Sequence, residues 1–176
     1  MEYWDLYNKD KVKLNKIVKR GDYLSDDEYH LVVNAWIVND NNEFLISQRS
    51  RNKKHPLMWE CTGGSALMGE DSFASAIREV KEELGLDISN VDGIFIGSIN
   101  RYYEGCPDIL DVWLFKLNVD IKDVVIQKEE LESAKWVTKD ELIKMCNQGI
   151  FDKNAYFDEV VNGEYDEVRK WNYCIS

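Results

Sequence analysis

Residues Gly63 to Leu86 read GGSALMGEDSFASAIREVKEELGL, and this stretch superimposes two patterns. With Phe73 as origin and 100° per residue, Phe73, Ala76, Ile77, Val80 and Leu84 fall within about 60° of one direction. That is the apolar stripe of a helix lying on a core. Asp71 or Ser72 is suited to cap its start, and Gly85 to end it. Glu79, Glu82 and Glu83 are spaced i, i+3 and i+4, so they crowd the side of the helix next to the stripe.

This crowding is locally unfavourable. Like charges at i, i+4 cost a few tenths of a kcal/mol, and carboxylates in a last helical turn face the negative end of the macrodipole at roughly 0.3–1 kcal/mol each. A solvated acidic face partnered by Arg78 and Lys81 is one way to live with that arrangement; a bound cation is another. Oxygen ligands at this density suit Mg²⁺ or Mn²⁺ rather than zinc, which favours His or Cys.

The spacing shifts the balance toward a bound cation. Gly64, five residues, Glu70, seven residues and then Arg78-Glu79-Val80-Lys81-Glu82-Glu83-Leu84-Gly85-Leu86 resembles a complete Nudix box. With common residues at several per cent each, a chance match over the fixed positions is on the order of one in a million. The resemblance implies an α/β/α sandwich with a mixed central sheet, and hydrolysis of a diphosphate linkage in a nucleoside diphosphate joined to another group. By position, Glu82 and Glu83 resemble metal ligands, and Glu79 a ligand or the base that activates water. The Gly63 carbonyl resembles a further ligand, while Arg78 and Glu70 resemble residues that orient the cluster. A divalent ion, Mg²⁺ or Mn²⁺, is the cofactor implied, and a small-molecule diphosphate the substrate.

The rest of the composition is consistent with a small enzyme. The chain has 176 residues, 44% of them hydrophobic, which suits a single domain over 1–176 with a real core. Lys plus Arg number 22 against 33 Asp plus Glu, a net charge of −11, which argues against a nucleic-acid binder. An anionic substrate then has to be recruited by metal and by local basic residues. Cys61, Cys106, Cys146 and Cys174 form no CxxC pair, and no apolar run approaches a membrane span. A cytoplasmic protein is expected; homodimers are common in the family whose box this resembles, but nothing in the sequence marks an interface.

Outward from the box, Tyr3–Tyr7 and Val12–Val18 flank Asn8-Lys9-Asp10 as an N-terminal β-hairpin, with polar loop to residue 28. His30–Val38 and Glu43–Gln48 read as central strands joined by Asn39–Asn42. Arg49, Arg51, Lys53 and Lys54 gather just before the box; Arg49, Arg51 and Lys54 are taken as candidate phosphate contacts. Trp59 reads as core. Gly93–Tyr103 and Ile109–Leu117 read as strands, and Tyr103 is a candidate substrate contact because some Nudix dinucleoside polyphosphate hydrolases carry a Tyr near there.

Gln127–Val137 resembles the acidic loop and Trp strand that many Nudix enzymes place beside the box. Glu129, Glu130 and Glu132 are candidates there for a further ligand or base, with Glu130 singled out. Thr138 and Glu141 form a capping box for a helix to Asn147. From Asp152 on, Phe157, Val160, Val161, Val168 and Trp171 have helical spacing, broken at Asn162-Gly163, so the tail 152–176 is expected to be helical and to cover the sheet.

A second resemblance covers the whole chain. The hairpin, the strand YHLVVNAWIV and the QRS…KK…P…W run resemble isopentenyl diphosphate isomerase and its Nudix relatives. That enzyme moves protons at carbon with a Cys and a Glu, yet here Thr62-Gly63-Gly64-Ser65 stands where its Cys segment belongs, and the hydrolase box is intact. Hydrolysis is therefore the expected activity; the alternatives are isomerase-like chemistry and a catalytically silent nucleotide-binding module.

Overall fold

The run Tyr29–Val38 is apolar at nearly every position, the signature of a strand buried on both faces. In the computed structural model, which describes residues 1–164, it forms β3, the strand on which the sheet is assembled. Its neighbours are β1 (Tyr3–Tyr7), β4 (Phe44–Arg49), β6 (Thr62–Ser65) and β8 (Asp108–Lys116). Only β8 runs parallel to it, with His30 opposite Asp108 and Val38 opposite Lys116; the other pairings are antiparallel, so the sheet is mixed. β2 (Lys13–Lys19) extends the sheet beyond β1, β7 (Gly93–Arg101) beyond β8, and β5 (Trp59–Glu60) and β9 (Leu131–Val137) both pair with β4.

Alternate residues of the central strands sort into two cores, as a period of two requires. Trp36, Val38, Phe44, Ile46, Leu110, Val112 and Leu114 face one side, covered by α2 (Lys139–Asn147) and α3 (Phe157–Asn162) through Leu142, Met145, Phe157, Val160 and Val161. Val33, Ala35, Ile37, Leu45, Trp113 and Phe115 face the other, covered by α1 (Ser72–Leu84) through Ala76, Val80 and Leu84. The result is an α/β/α sandwich, the architecture that the box resemblance implies, with β1 and β2 as its N-terminal hairpin. Trp59 is half-buried and packs against the first of these cores, with Lys135 Nζ 4.4 Å from its ring centroid. The expected continuation of the tail at Val168 and Trp171 lies outside the described residues.

Helix α1 tolerates its acidic turn because its other face is buried. Val80 and Leu84 are fully buried, each contributing about 1.5–3 kcal/mol, more than the local charge penalties remove. Asp71 caps its start by accepting from the Ala74 N–H at 2.8 Å, and Trp113 Nε1 donates to Ser72 Oγ at 2.7 Å. Gly85 ends it at φ +69°, where a Cβ would stand 2.9 Å from the Val125 Cβ. Left-handed backbone costs an L-residue about 1–2 kcal/mol. Gly85→Ala should therefore lower unfolding free energy by at least that much, read from the urea midpoint; an unchanged midpoint would contradict this account of the helix stop.

Candidate active site

The site begins with a close approach of backbone to side chain. β6 and the first turns of α1 are packed so tightly that a Cβ on Gly64 would sit 2.3 Å from Glu79 Oε1. A Cβ there would force that carboxylate out of its position. Beside it, Arg78 makes five hydrogen bonds with its five N–H groups: Nε to Glu70 Oε1 (2.7 Å), Nη1 to Glu79 Oε1 and Glu82 Oε2 (2.9 Å each), and Nη2 to the Ser65 carbonyl (2.9 Å) and Glu70 Oε2 (3.1 Å). Glu70 also accepts from the Leu67 N–H and Ser75 Oγ. Burial opposes its ionisation, but the Arg78 bonds and the Leu67 N–H outweigh it and hold its carboxyl below the usual range.

Glu83 is different. It is 9% exposed and, among the described residues, no cationic side chain pairs with it. Burial first, then the fields of Glu79, Glu60 and Glu130, push its carboxyl well above the usual range, opposed by the backbone N–H of Gly63. Glu79 is pushed up by burial too, with Glu82 and Glu70 adding to it against the pull of Arg78. The acidic loop reaches this cluster because Gln127 N–H donates to the Glu83 carbonyl at 2.9 Å and the Glu130 carbonyl accepts from Ser50 N–H at 2.8 Å.

Together these groups line one polar cleft: Gly63, Gly64, Ser65, Arg78, Glu79, Glu82, Glu83, Gln127 and Glu130 along its floor and sides, with Lys53, Leu67, Glu2 and Arg20 completing it. Lys53 is ion-paired with Glu130. The carboxylates expected from the sequence, Glu79, Glu82, Glu83 and Glu130, all line this cleft, whereas the expected cations Arg49, Arg51 and Lys54 do not. Arg49 donates from Nε to the Lys54 carbonyl and from Nη1 to both Glu60 oxygens, at 2.8 Å each. It lines a neighbouring cleft with Lys54, His55, Met58, Glu60 and Asp152. Arg51 lies against Glu132 at 3.7 Å, and Tyr103 is an exposed ring 5.6 Å from the Arg101 guanidinium; neither lines the carboxylate cleft.

Glu60 was missed. Burial raises its pKa despite Arg49, and its charge acts on Glu83. Its place in the chain, next to Trp59 on a two-residue strand, gives no sequence signal.

The donor set suits a hard divalent cation in chemistry, several carboxylates around a buried one that lacks a counter-charge. Among the described residues no three acidic, His or Cys side chains already converge in a metal-holding arrangement. Arg78 draws Glu79 and Glu82 toward its own Nη1 instead.

The NUDIX domain family matches residues 28–158, and the chain belongs to that family. It is similar to an uncharacterized Nudix hydrolase of Listeria monocytogenes, 35% identical over 164 residues that cover 92% of this chain and 95% of that one. Among solved structures, the protein DR0079 of Deinococcus radiodurans superimposes with a TM-score of 0.72 at 21% identity, over 92% of this chain and 98% of that one. An Ap4A hydrolase of C. elegans in a binary complex does so with 0.57 at 25% identity, over 76% and 93%. The protein is a Nudix hydrolase, an enzyme acting on pyrophosphate bonds. The expected overall likeness to the isomerase finds no support in these relatives.

Glu83 sets a pH test with a definite sign. Its folded-state pKa lies above the ordinary 4.5, so its contribution is fully present below that value and is lost as pH rises through the folded-state pKa. With chelator present, Glu83→Gln should be more stable than wild type at pH 7, and the gap should close toward pH 4.5. A gap that widens on acidification would show that the carboxylate is stabilised in the fold. Gly64→Ala should cut activity at least about tenfold, the loss expected when a catalytic group is displaced by a fraction of an ångström to 1 Å, while far-UV circular dichroism is unchanged.

Proposed function

We propose that the protein hydrolyses a diphosphate linkage in a nucleoside diphosphate derivative or related small molecule, with Mg²⁺ or Mn²⁺ as cofactor. The observation that carries this reading is the buried, uncompensated Glu83 within an intact box, flanked by Glu79 and Glu82. Glu79, Glu82, Glu83 and the Gly63 carbonyl are the groups that would hold the ion. When bound, the ion neutralises phosphate charge, polarises phosphorus and makes water more acidic.

The chain's own residues do the rest. Arg78 holds Glu79 and Glu82 in place through Nη1 while Glu70 and Ser65 fix its guanidinium plane. Water adds to one phosphorus, the bridging P–O bond breaks, and the proton lost from water goes to a carboxylate. Of the carboxylates lining the cleft, Glu79, whose pKa is raised, and Glu130, ion-paired with Lys53, are the candidate acceptors.

Isomerase-like chemistry is disfavoured by the state of the nearest thiol. Cys61 is 3% exposed, and burial pushes its pKa far above the ordinary thiol range, so it offers no accessible thiolate. A silent binding module is disfavoured by the complete carboxylate set. The same reading takes the protein as cytoplasmic, in keeping with the free thiols of Cys61, Cys106 and Cys146. No helix among the described residues is long and apolar enough to cross a membrane.

The test is a panel of nucleotide and isoprenoid diphosphates with Mg²⁺ or Mn²⁺, assayed separately for phosphate release and double-bond migration. Cleavage of one class, abolished by chelator and reduced at least about a hundredfold by Glu83→Gln or Glu82→Gln with folding intact, is expected. Full activity in either variant would overturn the site assignment, and double-bond migration would overturn the reaction.

A further inference from the structure

The cleft that must accept an anion has almost no free positive charge. Arg78 has all five N–H groups engaged by Glu70, Glu79, Glu82 and Ser65, leaving none for a phosphate oxygen. Lys53 is held by Glu130. The other cation of the cleft, Arg20, is likewise ion-paired, with Glu2 accepting from Nη1 at 2.5 Å, but its side chain is 55% exposed against 31% for Lys53 and only Nη1 is engaged among the described residues. A guanidinium with Nε and Nη2 free can grip two oxygens of one phosphate.

Arg20 is also held where it is useful. It follows β2 directly, and its backbone N–H donates to the Glu2 carbonyl at 3.0 Å, one step beyond the Tyr3–Lys19 pair. The hairpin is in turn fastened to the box loop: Asp5 Oδ2 accepts from Gly69 N–H at 2.7 Å, Lys13 pairs with the same oxygen at 2.7 Å, and Met68 N–H donates to the Tyr3 carbonyl at 2.8 Å. At the other end of the hairpin, Lys11 pairs with the fully buried Asp111. The hairpin is thus a braced arm that carries a cation to the mouth of the cleft. It lies outside residues 28–158, the part matched to the family, so the family assignment gives Arg20 no role.

We propose that Arg20 is a substrate-binding residue that takes a terminal, unesterified phosphate, exchanging Glu2 for it. The inference rests on the diphosphate-hydrolase reading and narrows its substrate class. A terminal phosphate carries up to two charges and displaces a singly charged carboxylate; a phosphodiester carries one and gains nothing by the exchange. The N-terminal arm therefore selects monoesters of diphosphate over molecules esterified at both ends.

The test uses the full chain with Mg²⁺ and two non-hydrolysable probes, methylenediphosphonate and its P,P′-dimethyl ester, with dissociation constants from calorimetry. Arg20→Ala should weaken methylenediphosphonate at least about tenfold, as loss of a charge-assisted fork requires, and change the dimethyl ester less than about twofold. Arg20→Lys should recover part of the loss, and Glu2→Gln should tighten methylenediphosphonate. A merely structural role for Arg20 would weaken both probes alike and leave Glu2→Gln without effect. Wild-type binding that persists within about twofold in Arg20→Ala overturns the proposal alone. If wild type binds neither probe and cleaves no diphosphate, the hydrolase reading falls and takes the proposal with it.

Discussion

The Arg78 guanidinium joins the loop, the strand and the helix of the site in one hydrogen-bonded hub. Its five N–H groups reach Glu70 in the loop, Ser65 on β6, and Glu79 and Glu82 on α1. Five bonds from one planar group fix its orientation far more tightly than one or two would, and the acidic side chains inherit that precision. The apolar face of α1 anchors the hub to the sheet, because Ala76, Val80 and Leu84 are wholly buried against β3 and β8. What the hub does not reach is Glu83. That carboxylate is left under the combined fields of Glu79, Glu60 and Glu130, a concentration of negative charge that a divalent cation relieves.

The same saturation shapes the rest of the cleft. A guanidinium with every donor occupied orients carboxylates but has nothing left for substrate, and Arg49 is similarly committed to Glu60 and the Lys54 carbonyl. In a chain of net charge −11, positive charge free to meet an anion has to be supplied deliberately. The braced N-terminal hairpin, tied to the box loop through Asp5 and to β8 through Lys11, is the element proposed to supply it, by exchange of Glu2 at Arg20.

Much of the fold was legible in the sequence because its signals are local and periodic. The stripe from Phe73 to Leu84, the stop at Gly85, the Thr138–Glu141 capping box and the two-faced strand at Tyr29–Val38 each declare themselves within a dozen residues. The box carboxylates were legible for the same reason, since α1 alone sets their spacing. The cations were not. Arg49, Arg51 and Lys54 form the denser basic run in sequence, yet two of them turn to a neighbouring cleft and the third toward Glu132. Arg20 lies far from the box in sequence and reaches the cleft only through the strand pairing of β1 with β2 and β3. Glu60 shows no pattern because its role arises from β5 lying beside β4, which brings it near Glu83. Long-range pairing decides such contacts, and a single sequence does not display it.

The role proposed for this acidic cluster is to hold a divalent ion through Glu83. Titration of the chain with Mn²⁺ at neutral pH, following the electron paramagnetic resonance signal of the free ion, tests it without any knowledge of the substrate. Saturable loss of that signal is expected with wild type, and its near-complete retention with Glu83→Gln. Absence of binding in wild type, or equal binding by the variant, would contradict it.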